Sequence, residues 1–298
     1  MILEYIVPDG TGQVRLLRVL EQDLKLSSRL IRRLKQQSGI LVNGVPYRTI
    51  DPVKPGDRIS IVWTEPAGDR LVPEERHLDI LYEDDWFLAV NKPAGIAVHP
   101  TFNHPAGTLA NAVQFYFLKN GLDIKVRPVN RLDRGTSGVT LFAKHTHAQD
   151  RIIDLMKQNK VYKEYWGVVE GCFSPDSGTI DLPIQRKPGS IMERWVHPLG
   201  ERSVTHYRTL RVFKDRSLVQ FVLETGRTHQ IRVHCKACGH PNLGDWLYSD
   251  KPVPQTDRHA LHSRILRFEH PGTGKLTEIT APVPDDFKAF LEQEPDEP

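Results

Sequence analysis

The chain has 298 residues, 39% apolar and 26% charged, proportions of an ordinary globular protein with room for one large core and a smaller appendage. No apolar run approaches the roughly 20 residues that cross a bilayer, the start MILEYIVPDG lacks the segments of a secretion signal, and three cysteines, Cys172, Cys235 and Cys238, are too few for a disulfide framework, so the expected setting is the cytoplasm. The net charge of +3 is uneven, with +4 over residues 1–63, +4 over 64–284 and −5 over 285–298; a basic body with an acidic end suits a polyanionic partner.

Residues 1–63 read as one unit. In SSRLIRRLKQQSG, Ser27 or Ser28 can cap a helix whose apolar side holds Leu30, Ile31 and Leu34, and Gly39 is expected to end it in the left-handed conformation. Arg29, Arg32, Arg33 and Gln36 fall on the opposite side. Short β runs then flank an Asn43-Gly44 hairpin turn and a Pro55-Gly56-Asp57 turn. A basic helix on a small sheet fits an RNA-binding module; charge alone fits a solvated helix side equally well.

Residues 64–76 mix Pro, Gly and charge without periodicity and read as a linker. A second unit, 77–285, opens with two β runs around Glu83-Asp84-Asp85. The pattern then predicts a helix from Thr108 to Lys119, a strand from Val139 to Phe142 and a helix from Thr146 to Asn159. Strands follow in YKEYWGVVEG, VTHYRTLRVF and SLVQFVLETG, then a helix over 228–238. Strands outnumber helices and rarely alternate with them, which predicts an α+β fold with a largely antiparallel sheet. Residues 286–298 are expected to be a disordered acidic tail.

Two stretches can carry chemistry. In NRLDRGTSG, Asp133 lies between Arg131 and Arg134 on a turn that leads into a strand. The arginines favour an ionised carboxylate, suited to a nucleophile or base, and a structural ion pair explains the triplet as well. In TGRTHQIRVHCKACGHPNLGD, Arg227 precedes a helix start that Thr228 can cap, an expected anion site, and Arg232 lies one turn in, able to reach an aspartate across a cleft. Cys235 and Cys238 fall with Ile231 and His234 on the apolar side of that helix, at its C-terminal end, which favours core thiols over a redox or zinc site; His234 and His240 keep a metal set as a minor alternative. Tyr162, Tyr165 and Trp166 are aromatics of one strand, core residues or a platform for a base.

Taken together, NKPAGIAVHP, NRLDRGTSGVTLFAK, YKEYWGVVEG and TGRTHQIRVHCKACGHPNLGD resemble, in order and spacing, the RluA-type pseudouridine synthases, with RHALHSRILRFEHPGTG matching near the end. The resemblance spans roughly residues 78 to 285, and the N-terminal unit is similar to the α-L RNA-binding domain that often precedes this catalytic domain. It implies an enzyme that needs no cofactor or metal and isomerises uridine in RNA to pseudouridine, breaking the bond from N1 to C1′ and rejoining the base through C5. It carries the family's catalytic aspartate onto Asp133, its base-stacking tyrosine onto Tyr165 and the arginine paired with the aspartate onto Arg232. Arg131 matches an arginine associated with flipping the nucleotide; Arg134 and Arg227 are expected to contact substrate, and Arg29, Arg32 and Arg33 the RNA. The expected RNA is ribosomal, of the large subunit, with transfer RNA second, and the expected state is a monomer off the membrane. Many members have His where this chain has Asn130, a departure that bears on subgroup and RNA site. A non-catalytic RNA-binding assembly factor with the same fold is the competing expectation.

Overall fold

The computed structural model describes residues 2–63, 71–101, 105–250 and 258–291. Near the N-terminus a four-stranded antiparallel sheet is ordered β1 (Ile2–Ile6), β4 (Arg58–Val62), β2 (Ile40–Val42), β3 (Val45–Pro46). Helix α1 (Ser28–Gln36) buries Leu30, Ile31 and Leu34, and the Ser27 hydroxyl caps it by accepting the Leu30 N–H. These side chains close a core with Ile40, Ile59, Ile61 and Trp63, drawn from the first 63 residues alone. The hairpin turn forms as expected, with positive φ at Asn43 and Gly44. The helix end differs from expectation: Ser38 takes the left-handed conformation (φ 51°). Gly39 is required for another reason, since a Cβ there would stand 2.1 Å from the Val62 carbonyl oxygen.

The linker expected over 64–76 falls in part outside the described residues; 71–76 have no regular structure. Beyond it, ten strands form one sheet. Its main path runs β9 (Ser177–Asp181), β12 (Val204–Val212), β13 (Arg216–Leu223), β8 (Val161–Glu170), β14 (Leu261–Glu269), β7 (Ser137–Ala143), β6 (Phe87–Lys92), β5 (Ile80–Glu83). β15 (Leu276–Thr280) adds to β14. β7 and β14 run parallel over Ser137–His262 and Gly138–Ser263, and the other pairs of the sheet are antiparallel. Helices α2 (Leu109–Lys119) and α3 (Thr146–Lys157) start within a residue of their expected positions. The α+β class and the mainly antiparallel sheet are as the sequence predicts.

The central strands are apolar on both sides. β7 is buried throughout, with Phe142 in the cluster that also holds Val113, Phe117 and Phe221, and with Val139 and Leu141 facing a second cluster around Phe87, Ile152 and Phe268. Covering both faces leaves the strand ends as the place where polar side chains meet solvent. The chain end corrects the tail expectation. Asp285–Lys288 (α5) is helical, and Phe287 and Phe290 are buried against Val168 and Leu243. Apolar anchors decide this over the acidic composition; 292–298 lie outside the described residues.

Candidate active site

Asp133 stands on the loop that enters β7, beside the junction where β7 and β14 run parallel. Its own carbonyl accepts the Thr136 N–H at 3.0 Å, closing the turn. Asn130 ties the loop to the strand: its amide donates to the Val139 carbonyl (3.0 Å) and its side-chain oxygen accepts the Leu141 N–H (2.8 Å). Asn130, where the resemblance gives many members a His, is thus a structural staple here. Residues 258–262 clamp the other side. Arg258 donates to the Gly135 carbonyl (3.1 Å) and the Ser137 hydroxyl (3.2 Å), His259 Nε2 meets the Thr136 hydroxyl at 2.7 Å, and His262 Nδ1 meets that of Ser137 at 2.9 Å. Asp286 of α5 pairs with the Arg258 guanidinium at 2.7 Å, so the supposed tail reaches the loop through one side chain.

Lys92, fully buried at the end of β6, had no role in the sequence reading. Its ammonium donates to the carbonyls of Pro93 (2.8 Å), Ile96 (2.9 Å) and Arg134 (3.2 Å), joining two loops. Burial pulls its pKa down to about 7, opposed by the Asp133 charge and assisted by that of Arg258. An NKP triplet gives no sign of such burial in advance.

Helix α4 (Gln230–Ala237) brings Arg232 to the aspartate, with Nη1 to Asp133 Oδ2 at 3.1 Å. The guanidinium is held by Asp245, whose oxygens accept from Nε (2.7 Å) and Nη2 (2.8 Å), and it lies 4.9 Å over the Tyr248 ring. Asp245 is buried, so Arg232 arrives already paired and oriented. Burial alone would raise the Asp133 pKa; the neighbouring His229, Arg232 and His259, with the Arg232 hydrogen bond, hold it below the ordinary carboxylate range. The carboxylate is ionised at neutral pH. Tyr165 of β8 is opposite Ser263, just past a β-bulge that re-aims its side chain. It is buried, and burial lifts its hydroxyl to about 12, with the Asp133 charge adding and the Ser263 hydrogen bond opposing.

Other expected site residues are placed elsewhere. Arg131 is exposed beside Asp133. Arg134 donates from Nε to the Gly95 carbonyl (2.7 Å), so its guanidinium braces a loop. Arg227 pairs with the Glu201 carboxylate and donates to the Arg202 carbonyl (3.3 Å). Thr228 does not cap the helix: the cap position is His229, left-handed at φ 60°, and the Gln230 side-chain oxygen accepts the Arg227 N–H at 3.0 Å. Among the thiols, Cys235 is core but Cys238 is exposed, contrary to expectation, and burial raises the pKa of both. Arg29 and Arg32 are exposed and Arg33 half-buried on α1.

The clamp histidines set a pH dependence. Burial drops the pKa of His259 to about 3 and of His262 to about 4, so both are neutral in the fold. Between those values and the unfolded value near 6.5, the unfolded chain binds protons that the folded chain does not, and stability falls as pH drops below about 6.5. Urea titrations are expected to lose on the order of 1 to 2 kcal/mol per histidine between pH 7 and pH 5. Equal midpoints at the two pH values would contradict this assignment.

The sequence pattern of the family described as RNA pseudouridylate synthase matches residues 86–237, a stretch that contains Asp133, Tyr165 and Arg232. An uncharacterized RNA pseudouridine synthase of Bacillus subtilis, YhcT, is 39% identical over 288 residues, 96% of this chain and 95% of its own. The ribosomal large subunit pseudouridine synthase D of Haemophilus ducreyi is 35% identical over 272 residues, 87% of this chain and 82% of that one. Among solved structures, human RNA pseudouridylate synthase domain containing 1 superposes with a TM-score of 0.58 at 26% identity, covering 76% of this chain and 90% of the human one. The loop, its arginine partner and the mixed sheet thus coincide with a family match over half the chain and with relatives alike over most of their length, and the chain belongs to the RluA-type RNA pseudouridine synthases, isomerases that act on RNA.

Proposed function

We propose that Asp133 is the catalytic aspartate and that the enzyme modifies uridines of large-subunit ribosomal RNA. The observation that carries the catalytic assignment is the Asp133 carboxylate, ionised, a quarter exposed and held at 3.1 Å by an arginine that a buried second aspartate fixes in place. Arg232 and His229 both approach Oδ2, and no described residue hydrogen-bonds Oδ1, which leaves Oδ1 to meet the ribose or base of a flipped uridine. Tyr165 offers a ring against which that base can stack, and Arg131 stands exposed where a displaced nucleotide needs a cation. In the N-terminal unit, Arg29, Arg32 and Arg33 give α1 a basic side for the RNA backbone. The choice of ribosomal RNA over transfer RNA rests on the large-subunit relative named above.

Mapping pseudouridines in total RNA from cells with and without the protein tests the target. Sites in large-subunit RNA should vanish without it and fail to return with Asp133→Asn; loss confined to transfer RNA would overturn the ribosomal reading. A second expectation concerns the ring. Tyr165→Phe keeps the stack and should hold turnover within a few-fold, whereas Tyr165→Leu should lose about 1 to 3 kcal/mol of transition-state stabilisation, the value of one base on an aromatic platform. Equal kcat/KM for the two variants would contradict stacking as the role.

A further inference from the structure

The Asp133 carboxylate has a second neighbour that the assignment above leaves without a task. His229 ends the TGRTH turn in the left-handed conformation (φ 60°), which directs its ring inward from the start of α4. Nε2 lies 3.8 Å from Asp133 Oδ2, and Nδ1 lies 2.9 Å from the Tyr248 hydroxyl. That hydroxyl accepts the backbone N–H of Arg194 at 2.9 Å, so its own proton is free for His229 Nδ1. A ring that accepts at Nδ1 carries its proton on Nε2, facing the carboxylate. Groups facing the imidazole are Asp133, Arg232, Asp245, Arg194 and Tyr248. The Tyr248 hydroxyl is lifted to about 12 by burial and stays a donor across the working range.

We propose that His229, its tautomer fixed by Tyr248, is a positioning residue that presents an Nε2–H to Asp133 Oδ2 beside Arg232. Arg232 hydrogen-bonds that oxygen at 3.1 Å and the His229 N–H faces it from 3.8 Å, so both bias the carboxylate's rotation and leave Oδ1 as the reacting atom. Asp245 orients Arg232 as Tyr248 orients His229, so each donor has its own buried support. Hairpin β10 (Ile184–Arg186) to β11 (Arg194–Val196) also enters the site, because the Arg194 backbone completes the Tyr248 bond. This inference rests on Asp133 as the catalytic group.

The test is single-turnover isomerisation of a uridine-containing RNA across pH 4 to 9 by the full chain, for wild type, Asp133→Asn, His229→Ala, His229→Gln and Tyr248→Phe. The last removes one oxygen, which leaves the Arg194 N–H without its acceptor, and keeps the ring under Arg232, so it is expected to fold. His229→Ala and Tyr248→Phe are expected to lower the single-turnover rate about 10-fold, because the polar N–H edge of the imidazole no longer faces the carboxylate, with RNA Kd unchanged. His229→Gln, which can restore an N–H donor, should recover part of the loss. An acid limb, absent from the wild type above about pH 4, should enter the measured range in His229→Ala, since a group that favours the ionised carboxylate is gone. Wild-type rates and acid limbs in both His229→Ala and Tyr248→Phe, with Asp133→Asn inactive, would overturn the positioning role alone. Activity retained in Asp133→Asn would overturn the catalytic reading beneath it.

Discussion

Arg232→Met is expected to unfold at a denaturant concentration lower by the equivalent of about 3 to 5 kcal/mol, because it strands a buried carboxylate. Asp245 is fully buried and both its oxygens accept from Arg232; without the guanidinium its charge keeps only the backbone N–H groups of Leu247 and Tyr248 on Oδ1, with no counter-charge and no solvent. The same change frees Asp133 Oδ2, so turnover should fall at least 100-fold even where the protein is folded. Pairing it with Asp245→Asn separates the two effects. The double variant should regain much of the stability, since the buried charge is gone, and little of the turnover, since the hydrogen bond that holds Asp133 Oδ2 is still missing. Denaturant midpoints and single-turnover rates for the three variants provide the check. Recovery of both would contradict the division of labour between the two carboxylates.

Gly138→Ala should have an effect of similar size through the backbone. Gly138 has φ 109°, and a Cβ there would lie 2.1 Å from the Ser263 carbonyl oxygen, in the register where β7 and β14 run parallel. Backbone cannot yield as a side-chain tip can, so the two strands must separate or the turn must rebuild. We expect a loss of at least about 3 kcal/mol. Activity should fall further, because the separation moves Asp133 relative to Tyr165, whose strand pairs with the other edge of β14. A variant with wild-type melting and turnover would show that the close approach is not needed.

Much of the fold and part of the site were legible in the sequence, for reasons that differ by residue. Periodicity placed α1, α2, α3 and the long strands because amphipathic burial is a local signal repeated many times. The Asp133 loop was legible because a charged triplet entering a turn is unusual, and the resemblance supplied the pairing with Arg232, 99 residues away, which no local pattern encodes. Asp245, Lys92, His229 and Tyr248 were missed. Each draws its role from burial: Lys92 from three carbonyls that converge only in the fold, and Asp245 from complete enclosure against Arg232. The helix-start anion site failed because Gln230, one residue past the observed cap, satisfies the Arg227 N–H itself. Charge composition likewise overstated the tail, since two phenylalanines outweigh the acids around them.

The central claim is that the Asp133 carboxylate performs the isomerisation, and release of tritium from RNA labelled at uridine C5 measures it most directly. Asp133→Asn is nearly isosteric and keeps an oxygen for Arg232, so it should fold and bind RNA. Wild-type protein should release tritium in step with pseudouridine formed, at a rate with no acid limb above about pH 4, because the Asp133 pKa lies below the ordinary carboxylate range. Asp133→Asn should release none above background with RNA affinity intact; release at the wild-type rate would contradict the assignment of Asp133 as the catalytic group.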